Sequence, residues 1–314
     1  MTRVLVTGAL GQLGTEICKS LRQRYGDDLV LQTDVRPPPP SHPGYYRTLD
    51  VLERGAIEQV VANFQPKIVI HLAALLSATG ERWPELAWKL NVGSVLNLLE
   101  IAREAGFTFF LPSSIAAFGP GTPVDDTPQV TVQRPSTMYG ITKVTGELLC
   151  DYYFTRYGVD TRGLRFPGLI SHSAPPGGGT TDYAVEIFEA ALKHGRFACP
   201  LHPDTRLDMM YMPDASKAVM DLLDAPADRL VHRNAYNVTA MSFTPAELAE
   251  AIRAHLPGFE LLHEPDPVRQ RIADSWPNRM DDSAARQEWG WAPSYDITSM
   301  VADMMEQVAR KLGD

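Results

Sequence analysis

VTGALGQLG, residues 6–14, follows directly on an apolar, β-branched run, RVLVT (3–7). It leads into GQLGTEICKSLRQRY (11–25), where Leu13, Ile17 and Leu21 recur at helical spacing. A strand, a turn with glycines at 8, 11 and 14, and a helix are therefore expected in that order. Missing side chains allow a tight turn, close approach of backbone to a pyrophosphate, and close helix–sheet packing. The helix N-terminus can then hold phosphate through its backbone N–H groups. The turn predicts a dinucleotide site at Gly8, Gly11 and Gly14, with Gln12 and Leu13 beside them. No Lys-Ser or Lys-Thr pair follows, which disfavours a nucleoside-triphosphate loop. A glycine-rich turn without a ligand is the alternative, and the strand–turn–helix context argues against it.

Asp34 closes the next apolar run, LVLQTD (29–34), 20 residues beyond Gly14. A carboxylate there accepts from both ribose hydroxyls and repels a 2′-phosphate, which favours NAD over NADP. Turn formation is the competing role for a strand-terminal aspartate. Arg36 reads as a solvated loop arginine.

Strand-like and helix-like segments continue to alternate. AIEQVVANF (56–64) is helical, KIVIHLA (67–73) a strand, and 85–106 a long helix ending at glycine. FTFFLPSS (107–114) is a strand, 138–157 a helix and DTRGLRF (160–166) a strand. Near-continuous apolar strands alternating with helices predict an α/β fold with a doubly wound parallel sheet, buried on both faces. After Phe166 a Pro/Gly-rich loop runs into a helix by residue 188, a late strand is expected at 234–238, and helices at 244–256 and 296–312. Residues 1–168, completed by segments within 205–238, are read as a Rossmann NAD-binding domain. Residues 169–204 and 239–314 are read as a smaller C-terminal α/β substrate-binding region.

Composition narrows the partners. The chain has 314 residues, a net charge of −9 and a pI near 5.4, with no basic run to track a phosphate backbone, so nucleic acid is not expected. Cys18, Cys150 and Cys199 are odd in number and widely spaced, which fits a reducing cytoplasm and argues against a disulfide framework. No signal peptide is read at the N-terminus and no apolar run is long enough to span a membrane. The eight histidines form no H-E-x-x-H, no metal site is expected, and His71 in its strand reads as structural.

Ser114, Tyr139 and Lys143 suggest the chemistry. Tyr139 and Lys143 lie one helical turn apart. A phenol is a poor base near neutrality, and an adjacent ammonium favours its ionised form. A serine hydroxyl at the end of the preceding strand can hold the alcohol that loses its proton while hydride leaves for a nicotinamide. A Tyr-x-x-x-Lys pair is also a common packing pair on helices; the dinucleotide turn upstream favours the catalytic reading.

In order, TGALGQLG (7–14), Asp34, HLAAL (71–75), Asn91, SSIAAFG (113–119) and YGITK (139–143) resemble the extended short-chain dehydrogenase/reductase family over essentially the whole chain. That family includes nucleotide-sugar epimerases and dehydratases. The resemblance implies that Asp50 and Val51 flank the adenine, that Leu72, Ala73, Ala74 and Pro167 line the cofactor, and that Lys143 also binds the nicotinamide ribose. It implies that Asn91 belongs to the cofactor site, binding structural water or ordering the active site. LLSATGE (75–81), LRFPGLIS (164–171), PPGGGTTDYAVEIF (175–188) and SWPNRMDDSAARQEWGW (275–291) are similar to the metal-free, short-chain type of L-threonine 3-dehydrogenases. That similarity implies NAD-dependent oxidation of L-threonine at its β-carbon to 2-amino-3-oxobutyrate.

For such a zwitterion, Ser77, Thr180 and Thr181 supply hydroxyls, and Asp182 either meets the ammonium or caps a helix. Trp276 either closes the pocket or packs in the core, and Arg279 most simply makes a surface ion pair. The alternative is an NAD-dependent nucleotide-sugar 4-epimerase or dehydratase using the same Ser114, Tyr139 and Lys143. Segment 169–188 carries no Lys or Arg for a diphosphate, which favours a small substrate. A non-catalytic NAD-binding scaffold is a third reading, opposed by the intact Ser/Tyr/Lys set. The resemblance implies a homodimer through helices 85–106 and 138–157, against the simpler expectation that their apolar residues cover the sheet.

Overall fold

The computed structural model describes residues 1–173 and 179–313. The first half runs β1 (Val4–Thr7), α1 (Gln12–Tyr25), β2 (Val30–Asp34), β3 (Tyr46–Thr48), α2 (Arg54–Phe64) and β4 (Ile68–His71). It continues through α3 (Ser77–Arg82), α4 (Pro84–Trp88), α5 (Ser94–Ala105), β5 (Thr108–Ser114), α6 (Met138–Tyr157) and β6 (Thr161–Phe166). Then come β7 (Gly168–Ile170), α7 (Tyr183–His194), β8 (Arg196–Cys199), β9 (Leu207–Tyr211), α8 (Met212–Asp224), β10 (Tyr236–Asn237) and β11 (Met241–Phe243). The chain closes with α9 (Pro245–Arg253), β12 (Glu260–His263), α10 (Pro267–Ala273), α11 (Ser283–Trp289) and α12 (Ile297–Gly313).

A seven-stranded sheet in the order β3-β2-β1-β4-β5-β6-β10 has every adjacent pair parallel. This is the doubly wound Rossmann arrangement, whose strand order reverses between β1 and β4. Residues of β1, β2 and β6 are buried throughout, as a sheet covered on both faces requires. One apolar cluster joins α1, α8 and α11 to one face, and another joins α2, α5 and α6 to the other. A third core lies in the C-terminal half, around Tyr183, Phe188 and Met304. A three-stranded sheet, β7-β9-β11, and the pair β8-β12 complete the architecture.

The sequence predicts one helix over 85–106, and the structure divides it. Pro84 starts α4 at a position where its missing N–H costs no hydrogen bond, and Lys89–Gly93 form a wider π turn before α5. Strands β3, β8 and β12 escape the sequence reading because they are short and largely exposed. Residues 175–178 of the Pro/Gly-rich loop lie outside the described residues. On α6, Tyr153 is buried against the sheet while Leu148 and Tyr152 are exposed. Among the described residues, no helix is long and apolar enough to cross a membrane.

His71 ties three elements together. The Ser94 hydroxyl donates to the Leu90 carbonyl, so it accepts from His71 Nε2–H at 2.8 Å. That leaves Nδ1 to accept from Thr7 Oγ1 at 2.7 Å. Burial pulls the imidazole down to about 3, with Lys143 adding to the effect. The unfolded chain binds a proton below about 6.5 where the folded chain does not. The His71 contribution is thus full above that pH and falls away toward pH 3. The stability advantage of wild type over His71→Gln, measured by urea unfolding, should shrink by about 2 kcal/mol between pH 7 and pH 5. An advantage that does not change with pH would show that His71 protonates freely in the folded chain.

Candidate active site

The glycine turn joins β1 to α1. Gly8 has φ of +71°, and a Cβ there would stand 2.6 Å from the Ala73 backbone N. A Cβ on Gly14 would stand 2.4 Å from the Gly8 carbonyl oxygen. Both approaches are too close for any side chain, so the turn lies flat against the β4 edge and α1. Gly11 caps α1 without a side-chain hydrogen bond, and no acidic residue occupies the first turn. The buried Gln12 Nε2 has no hydrogen-bond partner. A free helix N-terminus and an unspent amide donor beside it suit an anionic pyrophosphate, so the residues present fit a dinucleotide.

Two cavities meet at this turn, sharing Gly8, Gly11, Leu72 and Ala74 as walls. The outer one, about 420 Å³, is also lined by Asp34, Asp50, Val51 and Ala73. Asp50 turns its carboxylate back onto the Leu52 N–H at 2.9 Å. Asp34 accepts from Leu10 N–H at 3.2 Å. Arg36 is exposed in its loop, as the sequence predicts, and its Nε and Nη2 also clamp Asp34 at 3.0 and 3.1 Å. The two residues are neighbours across one turn, and the exposed guanidinium folds back onto the buried carboxylate. Burial pushes the Asp34 carboxyl up, but Arg36 and the Leu10 N–H outweigh it and hold the group below its usual value.

The inner cavity, about 260 Å³, gathers Gln12, Leu13, Ser77, Ser114, Tyr139, Lys143, Pro167, Thr180, Thr181, Asp182 and Trp276. These come from α1, α3, β5, α6, the β6–β7 junction, the start of α7 and the segment after α10. Ser77 is buried in the first turn of α3, and Trp276 is 7% exposed, at once pocket wall and packed side chain. Asp182 Oδ2 accepts the Gly179 N–H at 2.6 Å, and it makes no side-chain cap to α7. Among the described lining residues, Lys143 is the one cation and Asp182 the one anion.

Tyr139 and Ser114 line this cavity together, and Ser114 Oγ accepts the Ala116 N–H at 3.2 Å. The Lys143 ammonium donates to the Pro112 carbonyl at 2.8 Å and lies 5.3 Å from the centroid of the Tyr139 ring. The sequence predicts that this ammonium lowers the phenol pKa; the structure reverses the direction. Burial pushes Tyr139 up to about 12, opposed by the nearby Ser114 hydroxyl, and burial draws Lys143 down to about 8, opposed by Glu147. The ammonium faces the ring and a carbonyl, so desolvation of the phenol wins.

One expected cofactor-site residue, Asn91, is not a pocket wall. Asn91 accepts from Leu75 N–H at 2.8 Å and donates to the Leu75 carbonyl at 3.0 Å and to Thr142 Oγ1 at 3.1 Å. It clamps the loop after β4 to α6 and lies outside both cavities, because the π turn points its amide at that loop. Arg279 pairs with Asp126 at 3.0 Å on the surface. Sequence reasoning misses the apolar walls Leu76, Ile115, Phe166 and Leu169. Position offers a signal for two of them: Phe166 ends β6 and Ile115 follows the end of β5.

The model of the NAD dependent epimerase/dehydratase family matches residues 4–239. An uncharacterized epimerase/dehydratase of Staphylococcus haemolyticus is 53% identical over 314 residues, 99% of each chain. The L-threonine dehydrogenase structure from Clostridium difficile is 51% identical, with a TM-score of 0.97, over 99% of this chain and 98% of that one. The holo form of the L-threonine dehydrogenase from Cupriavidus necator is 50% identical, with a TM-score of 0.95, over 98% and 99%.

Replacing Asp34 by Ala removes the carboxylate from the ribose side of the outer cavity and frees Arg36. Calorimetric titration should show NAD binding weakened by about 1.5–3 kcal/mol, the cost of a charged hydrogen bond, and NADP binding weakened less. Equal losses for the two would remove Asp34 from ribose recognition.

Proposed function

The chain belongs to the NAD dependent epimerase/dehydratase family, and we propose that it is an L-threonine 3-dehydrogenase, oxidising L-threonine at its β-carbon to 2-amino-3-oxobutyrate. The observation that carries this reading is the inner cavity, where the Ser114–Tyr139 hydroxyl pair meets a small polar wall of Ser77, Thr180, Thr181 and Asp182. About 260 Å³ suits an amino acid beside a nicotinamide ring. The Asp182 carboxylate in the wall suits the ammonium of an amino acid. A nucleoside diphosphate sugar needs more positive charge, and Lys143 is already engaged with Pro112.

The cofactor is NAD, which when bound supplies the hydride acceptor. Gly8, Gly11, Gln12, Leu13 and Gly14 would hold its pyrophosphate, Asp34 its adenosine ribose, and Asp50 and Val51 its adenine. Leu72, Ala73, Ala74 and Pro167 would line the cleft, with Asn91 supporting the loop. Ser114 holds the β-hydroxyl oxygen, and Tyr139 takes its proton as the carbonyl forms. Lys143 places positive charge at the base of the pair. Asp182 receives the substrate ammonium, and Trp276 excludes water. The similarity to the two threonine dehydrogenase structures supports the substrate.

Purified chain with NAD and L-threonine should form NADH, whereas NADP, D-threonine and L-serine should give little. Tyr139→Phe should lower kcat by roughly 10²–10⁴ while its circular dichroism stays unchanged. Interconversion of UDP-galactose with no NADH from threonine would assign the chain to the epimerases instead.

A further inference from the structure

One buried polar cluster is left unused by the reading above. Glu147 lies one turn beyond Lys143 on α6 and is 5% exposed. Arg165 of β6, 7% exposed, meets it through Nη2 at 2.8 Å and Nε at 3.1 Å. Gln133 Nε2 donates to Glu147 at 2.9 Å, and the Ser113 hydroxyl donates to its other oxygen. Arg165 in turn donates to the Gln129 carbonyl at 2.9 Å and to Asn237 Oδ1 at 3.1 Å. A buried ion pair stabilises a fold weakly, because desolvation offsets most of the attraction. Its placement is therefore the informative feature. Ser113 immediately precedes Ser114, and Glu147 stands behind Lys143 on the same helix.

We propose that Glu147 is a positioning residue for the reaction: through Ser113 it fixes the end of β5 that carries Ser114, and through its charge it keeps the ammonium on Lys143. This rests on the assignment of Ser114, Tyr139 and Lys143 given above. The groups facing Lys143 are few. On its own helix they are the Tyr139 ring and the Glu147 carboxylate. From β5 it meets the Pro112 carbonyl, and from β4 His71, which is neutral near pH 7. Arg165 is paired with Glu147 and offsets part of its charge. Burial works against the ammonium and draws it down to about 8, so Glu147 supplies the opposing attraction. Removing that charge makes Lys143 lose its proton at lower pH.

The test uses the full chain and NADH, titrated by fluorescence across pH, a readout that needs no threonine. Glu147→Gln strands Arg165, so the double variant Glu147→Gln/Arg165→Gln, which leaves no buried charge unpaired, is measured beside it. In both, the alkaline loss of NADH affinity should move to lower pH by about one unit, less in the double variant. An unmoved profile in a folded double variant would overturn the electrostatic role. Ser113→Ala leaves the ion pair whole. It should cost roughly tenfold in kcat with little change in KM and no shift of the pH profile, and Ser113→Thr should restore part of the loss. A kcat within twofold of wild type would overturn the positioning role. Failure of the wild type to oxidise threonine would sink the substrate assignment, while the NADH titrations would still decide the role of Glu147.

Discussion

The register of the central parallel strands is the constraint on which the site depends. Thr7 pairs with Thr33 on one side and His71 on the other, and Ser114 pairs with Phe166. Each functional segment begins where one of these strands stops. Gly8 follows Thr7, Asp34 ends β2, Leu72 follows His71, Ser114 ends β5 and Pro167 follows Phe166. The crevice lies between β1 and β4, where the strand order reverses and helices leave in opposite directions. A slip of one residue in β5 would turn Ser114 to the other face and bring Ser113 forward. The hydrogen bonds of His71 to Thr7 and Ser94, and of Ser113 to Glu147, hold the strand ends against such a slip.

Desolvation sets the resting state of Tyr139 and Lys143. Burial raises the phenol and lowers the ammonium, and both shifts disfavour charge. On raising the pH, the two groups give up their first proton in the range to which burial lowers the ammonium. The pair then has a single proton to place, on the amine or on the phenol, and its titration is a property of both groups together. Any negative charge behind the amine favours the arrangement with ammonium and phenolate, which is the form able to accept a proton from an alcohol. Glu147 stands in that position, while Arg165 keeps the cost of burying its carboxylate low.

Much of this was legible in the sequence because it rests on local pattern. The glycine turn, Asp34, the helix over 138–157 and the pairing of Tyr139 with Lys143 depend on spacing and periodicity, which a linear chain displays. Long-range geometry was not legible. Arg36 and Asp34 are two residues apart, yet only the fold of the turn shows that they clamp each other. Glu147 and Arg165 are ordinary charges on a helix and a strand until β6 brings them together. The direction of the Tyr139 shift was lost because sequence gives proximity of the ammonium without the burial that opposes it. The break at Lys89–Gly93 was hidden because the hydrogen-bond partner of its Asn91 lies in a loop sixteen residues back.

The wall of the inner cavity formed by Thr181 and Trp276 inherits its position from the larger sheet. Only Pro167 separates β6 from β7, so the smaller sheet starts where the larger one ends. A Cβ on Gly168 would meet Met209 Sδ at 2.4 Å and Thr181 Cγ2 at 2.7 Å. The absence of a side chain there lets Thr181 stand against β7 and reach the inner cavity. On the opposite side, buried Asp208 of β9 accepts the Met280 N–H at 2.8 Å and the Thr239 hydroxyl at 2.5 Å. Those bonds fasten the segment that carries Trp276 to the same small sheet. Thr181 and Trp276 thus line one cavity with Ser114 and Tyr139 from a platform joined to the Rossmann sheet through Pro167 after β6 and through 238–240 after β10. Specificity can change through this platform without disturbing the strand register that assembles the chemistry.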